Sequence, residues 1–160
     1  MFKIGDYITH PMHGAGVIES IVTKKINGSQ RDYYVLKLPV GEMVVMVPVS
    51  GCEDIGVRSI ISRSEAEKLF SAFSEIEISM TQNWNKRYRE NMDKIKSGNL
   101  LDVASVVKGL MCRDSERGLS TSERKMLHSA KQILISELVI ATDMDYNGVE
   151  KRLCAALKEG

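Results

Sequence analysis

Apolar and polar positions alternate over short runs through the first sixty residues, and from Ser62 onward they recur every three or four. The alternating part predicts strands at residues 6–9, 15–26, 31–38 and 43–47, with a short fifth near 57–61. Turn chemistry separates them: Pro11-Met12-His13-Gly14, Asn27-Gly28 and Pro39-Val40-Gly41-Glu42. Asn27-Gly28 is the sharpest of these signals, because both residues accept the positive φ of a tight hairpin. Short antiparallel strands at this spacing predict a small SH3-like or Tudor-like β-barrel over residues 1–58.

One strand breaks the rule. Met43-Val44-Val45-Met46-Val47 is apolar throughout, whereas an antiparallel strand with one wet face shows a polar residue at every second position. Either the C-terminal part of the chain covers its second face, or an apolar edge is kept for a partner strand.

The helical part, residues 62–160, predicts about five helices in a bundle, making the chain α+β. Two overlapping capping boxes, Ser62 with Glu65 and Ser64 with Glu67, open a first helix ending near Phe73. A polar connector follows over 74–81. A helix beginning at Trp84 stops at Gly98-Asn99. The next covers 100–111, and a charged turn is expected over 113–119. Ser120-Thr121-Ser122-Glu123 caps the longest helix, to about Thr142, and a last helix covers 145–158.

Charge alters the picture locally. The chain as a whole carries only +1, so any nucleic-acid contact must come from a patch. Between residues 82 and 98, Lys86, Arg87, Arg89, Lys94 and Lys96 face only Glu90 and Asp93, and this window holds the single tryptophan, Trp84. Residues 108–131 carry a second basic excess. If the two helix starts adjoin, they form one cationic face, with a flat ring able to stack on or wedge between bases. The competing reading is core: Trp84, Tyr88, Met92 and Ile95 recur at helical spacing, so the indole could head a buried stripe.

Little invites catalysis. The chain has no GxxxxGK[ST], no strand-linked GxGxxG, no HExxH and no GxSxG elbow. His10 and His13 lie in a turn without further ligands, and Gly14-Ala15-Gly16 reads as tight-turn backbone rather than a phosphate cradle. No metal, cofactor or small-molecule substrate is expected. Cys52, Cys112 and Cys154 are odd in number and widely spaced, which suits a reducing cytoplasm. No apolar run reaches the roughly 20 residues of a membrane span.

Taken in order, several segments together resemble the CarD/CdnL family of bacterial transcription regulators. They are Phe2-Lys3-Ile4-Gly5-Asp6, His10-Pro11-Met12-His13-Gly14, Tyr34-Val35-Leu36-Lys37, Trp84-Asn85-Lys86-Arg87-Tyr88, Lys96-Ser97-Gly98-Asn99, Arg117-Gly118-Leu119-Ser120 and Glu123-Arg124-Lys125-Met126-Leu127. The likeness covers about residues 1–142. It implies a Tudor-like domain that binds the β subunit of RNA polymerase, and a helical domain that reaches promoter DNA at the upstream edge of the transcription bubble. The resemblance further implies that Trp84 wedges into the minor groove, with Lys86, Arg87, Arg89 and Arg124 on the DNA backbone. Polymerase contacts are implied at Lys24, Ile26 and Met46. Some relatives carry arginine at the last of these and at Lys24, which shifts docking here from charge pairing toward packing. A protein-interaction adaptor whose helices never touch DNA is the alternative.

Overall fold

The structure, a computed structural model, describes residues 1–78 and 81–159, so the connector expected over 74–81 lies partly outside the described residues. Five antiparallel strands come first: β1 (Tyr7–His10), β2 (Gly14–Ile26), β3 (Ser29–Leu38), β4 (Met43–Pro48) and β5 (Arg58–Ser59). Their order is β4-β3-β2-β1-β5. Among the described residues β4 and β5 do not pair with each other, so the expected barrel is an open sheet. With two residues, β5 is too short to close it. Asn27 and Gly28 take positive φ at the β2–β3 hairpin, as their chemistry requires.

Ile8, Ile18, Tyr34, Leu36, Leu38 and Val47 fill the sheet's core. A bulge between Ile18 and Ser20 shifts the β2–β3 register. Beyond it the hairpin runs on as a two-stranded ribbon, since β1 pairs with β2 only as far as Val17 and β4 with β3 only back to Tyr33. Residues 23–32 are all exposed.

Five helices follow: α1 (Arg63–Phe73), α2 (Trp84–Lys96), α3 (Leu100–Arg117), α4 (Thr121–Thr142) and α5 (Tyr146–Glu159). The Ser62–Glu65 capping box forms with both of its hydrogen bonds, while Glu67 instead pairs with Arg152 on α5. α3 continues past Met111 to Arg117, overturning the charged turn expected at 113–119. Residues 112–117 contain neither glycine nor proline to stop a helix, and the break comes at Gly118, with φ 75°. Val106, Val107, Leu110, Leu134, Ile135 and Leu138 make the centre of the bundle.

Sheet and bundle share a tight seam along α4. The backbone N–H of Ala15 donates to Ser136 Oγ at 2.9 Å. A Cβ on Gly14 would fall 2.6 Å from that oxygen, and one on Gly16 would collide with the Lys37 carbonyl. Gly14-Ala15-Gly16 therefore opens β2 and allows close approach, rather than forming the tight turn expected of it. Beside it Glu137, fully buried, accepts two hydrogen bonds from Arg58 at 2.7 and 3.0 Å and one from the Ile61 N–H at 2.8 Å.

A buried carboxylate deprived of its partner is costly, and so is the reverse. Because Arg58 is partly exposed, it can turn to water when Glu137 is lost. Glu137→Ala should therefore destabilise by roughly 2–3 kcal/mol, less than the full cost of an enclosed pair. Thermal melting followed separately by near-ultraviolet signals of the sheet and the bundle should then show two transitions in the variant, against a single one expected for the native chain.

Candidate nucleic-acid interface

α2 begins at Trp84 because Asn83 caps it, its side chain accepting from the Lys86 N–H at 3.0 Å. At about 100° per residue, Trp84, Arg87, Tyr88, Asn91 and Ile95 fall on one side of the helix. Arg87, Asn91 and Ile95 are buried there, and Tyr88 and Met92 pack partly against the bundle core. The apolar stripe is thus real core, but its first member has run past the end of the bundle. Trp84 is 42% exposed, with its ring stacked on Tyr88 at 5.4 Å between centroids.

The cations divide into two groups. Lys86, Arg89 and Arg124 are exposed, and Lys86 has only a loose 4.0 Å approach to Glu90. Arg87, expected among the backbone contacts, is instead 2% exposed. Its Nε and Nη2 donate to Glu123 at 2.9 and 3.3 Å, and its Nη1 donates to the carbonyls of Thr81 and Gln82. This guanidinium is enclosed with all three of its nitrogens hydrogen-bonded, so it is withdrawn from the surface set. Lys108, counted in the second basic window, is likewise buried and donates to the carbonyls of Ser74 and Ile76.

Glu123 is the member that sequence reasoning misplaced. Ser120 caps α4 through the Glu123 N–H, but the Glu123 carboxylate turns to Arg87, with Arg113 4.0 Å away. The ion pair joins the N-terminal ends of α2 and α4, which brings exposed Arg124 to the same end as Trp84. The signal available in sequence was helical phase: Arg87, Asn91 and Ile95, spaced by four, form a row beside the aromatic one.

Two helix N-termini meeting in this way concentrate positive potential. The first turn of α2 holds no acidic residue and carries Lys86, although a cation at a helix N-terminus opposes the helix dipole. That arrangement suits an anionic partner rather than stability. Elsewhere, the rings of His10 and His13 lie 4.6 Å apart, and burial with the neighbouring His13 holds the His10 pKa below its ordinary value. Among the described residues no three His, Cys, Asp or Glu side chains gather as a metal site, and no helix is long and apolar enough to cross a membrane.

The three positions expected from the resemblance to meet a polymerase lie on the sheet. Lys24 and Ile26 stand on the exposed ribbon of β2, and Met46 lies on β4 with Met43 and Val44. β4 is an edge strand whose outer side meets no strand among the described residues. Of the two readings of this apolar run, the uncovered edge is the observed one.

The chain is thus an α+β protein in two parts, an open antiparallel sheet docked on a helical bundle, with a part-exposed indole at a cationic helix end. The chain matches two family models, "CarD-like/TRCF RID domain" over residues 2–61 and "CarD, C-terminal domain" over residues 68–154. It is also 39% identical over 140 residues to YdeB of Bacillus subtilis (strain 168), a protein named as a candidate transcription factor, covering 88% of this chain and 92% of that one. The chain belongs to the CarD family.

Enclosed and exposed cations of α2 should respond oppositely to truncation. Arg87→Ala leaves the buried Glu123 carboxylate with only Arg113, 4.0 Å away, and the Ser120 hydroxyl, and should cost about 3 kcal/mol in chemical denaturation, the low end for a broken buried pair. Lys86→Ala should stay within about 0.5 kcal/mol of the native chain.

Proposed function

We propose that this CarD-family chain is a non-catalytic transcription regulator that binds the RNA polymerase β subunit and stabilises the open promoter complex. In this reading the edge strand β4 and the β2 ribbon, through Lys24, Ile26 and Met46, hold the polymerase. Trp84 wedges into the minor groove at the upstream edge of the bubble, while Lys86, Arg89 and Arg124 contact phosphates. The observation that carries it is the position of Trp84: a large ring, 42% exposed, at the open end of a helix whose first turn is basic.

The magnitudes agree with a tethered wedge. Unstacking a base step costs a few kcal/mol, part of it already supplied where DNA is melted. A stacking ring returns about 1–3 kcal/mol. Three phosphate contacts add a salt-dependent term without sequence preference. Such a contact is weak by itself, and attachment to polymerase raises its effective concentration. Open complex is favoured only to the extent that the ring binds melted DNA better than duplex.

Trp84→Ala should shorten open-complex lifetime by roughly 5–30-fold, corresponding to about 1–2 kcal/mol. Binding to polymerase and the melting temperature should hold, because the ring lies outside the bundle core. An unchanged lifetime removes the wedge, and an unfolded variant restores the core-packing interpretation.

The two halves should also separate by salt. Removing Lys86, Arg89 or Arg124 should each lower the slope of log affinity for the promoter against log salt by about 0.7–0.9. Val44→Glu or Met46→Glu, placing charge on the apolar edge, should weaken polymerase β binding tenfold or more with that slope intact. Retained binding in both edge variants would direct the search to another partner for the sheet.

A further inference from the structure

Resting on the wedge reading, we infer that Arg87 is a positioning residue for Trp84, setting where the indole stands before any DNA arrives. Trp84 is the first residue of α2, so its direction is inherited from the chain entering the helix. The carbonyls of Thr81 and Gln82 lie upstream of that helix, where no helical N–H can bond to them. Arg87 supplies the missing donor through Nη1, at 3.2 and 3.3 Å, while Nε and Nη2 grip Glu123 on α4. One guanidinium therefore ties together the entering chain, the helix and the rod of the bundle. The ring itself stacks on half-buried Tyr88, 5.4 Å between centroids.

Only arginine has the shape for this task. Its planar fork offers five N–H donors in fixed directions, enough to engage a carboxylate on one side and carbonyls on the other. Lysine keeps the charge but is a single donor head on a flexible stem, unable to span both sets in the same geometry. A ring held in place beforehand loses less conformational freedom on insertion, and this strengthens binding to the opened groove.

The test combines Arg87→Lys with Trp84→Ala, alone and together, in the full-length chain bound to polymerase on one promoter. Arg87→Lys should shorten open-complex lifetime about fivefold, near the lower end of a stacking contribution. It should add nothing in the Trp84→Ala background and should leave the salt slope unchanged. In the free protein, acrylamide quenching of Trp84 fluorescence should rise, a clean readout because the chain has a single tryptophan.

Additive effects on lifetime overturn the inference, since they would mean that Arg87 acts independently of the ring. In Arg87→Gln, which unlike lysine removes the charge, a slope lowered by about one also overturns it, marking Arg87 as a direct phosphate contact. If Arg87→Lys does not fold, Glu123→Gln is the milder variant. It keeps an acceptor for one of the two bonds and should shift quenching and lifetime in the same direction by less, whereas unchanged quenching there sinks the proposal. A lifetime insensitive to Trp84→Ala, with quenching still altered by Arg87→Lys, rejects the wedge while keeping the positioning contact.

Discussion

Two carboxylates buried on α4, Glu123 near its start and Glu137 further along, carry the arrangement on which the rest of the molecule depends. Taking a carboxylate out of water costs several kcal/mol, and attraction to one cation offsets that only when the remaining lone pairs are also satisfied. Both sites meet the condition. Glu123 has the Arg87 fork and the Ser120 hydroxyl at 3.4 Å, and Glu137 has the Arg58 fork together with a backbone N–H. Such pairs contribute less to net stability than their strength suggests, but each leaves its partner element one acceptable position. The first fixes the helix bearing the indole, and the second fixes the sheet.

Most of the fold was legible because local chemistry and global pattern agree. Asn27-Gly28, Ser62 with Glu65, Asn99 and Ser120 each end or begin an element where their side chains dictate. The failures occurred where residue type and helical phase point different ways. Arg87 and Lys108 look like surface cations by type, yet both fall on buried faces, and phase proved the stronger guide. The charged run after Met111 looked like a turn for the same reason, although helices tolerate charge and stop at a residue such as Gly118 that accepts positive φ. Closure of the sheet could not be read at all, because it depends on how far a two-residue strand extends.

The proposed binding positions were legible to an unequal degree. Exposure of Trp84 could not be decided from its spacing, which is that of core. It follows from where the helix begins relative to the end of the bundle, a tertiary fact. The unbroken apolar run of β4 was visible in sequence, and its place at the sheet edge gives that run its meaning.

The placement of both carboxylates on α4 has a mechanical consequence. An α-helix rises 1.5 Å per residue and resists stretching, so Glu123 and Glu137 sit a set interval of roughly 21 Å apart. The seams they anchor cannot drift independently. The two parts of the molecule are thereby held at one spacing along a single rod rather than joined as a pair of hinged fingers.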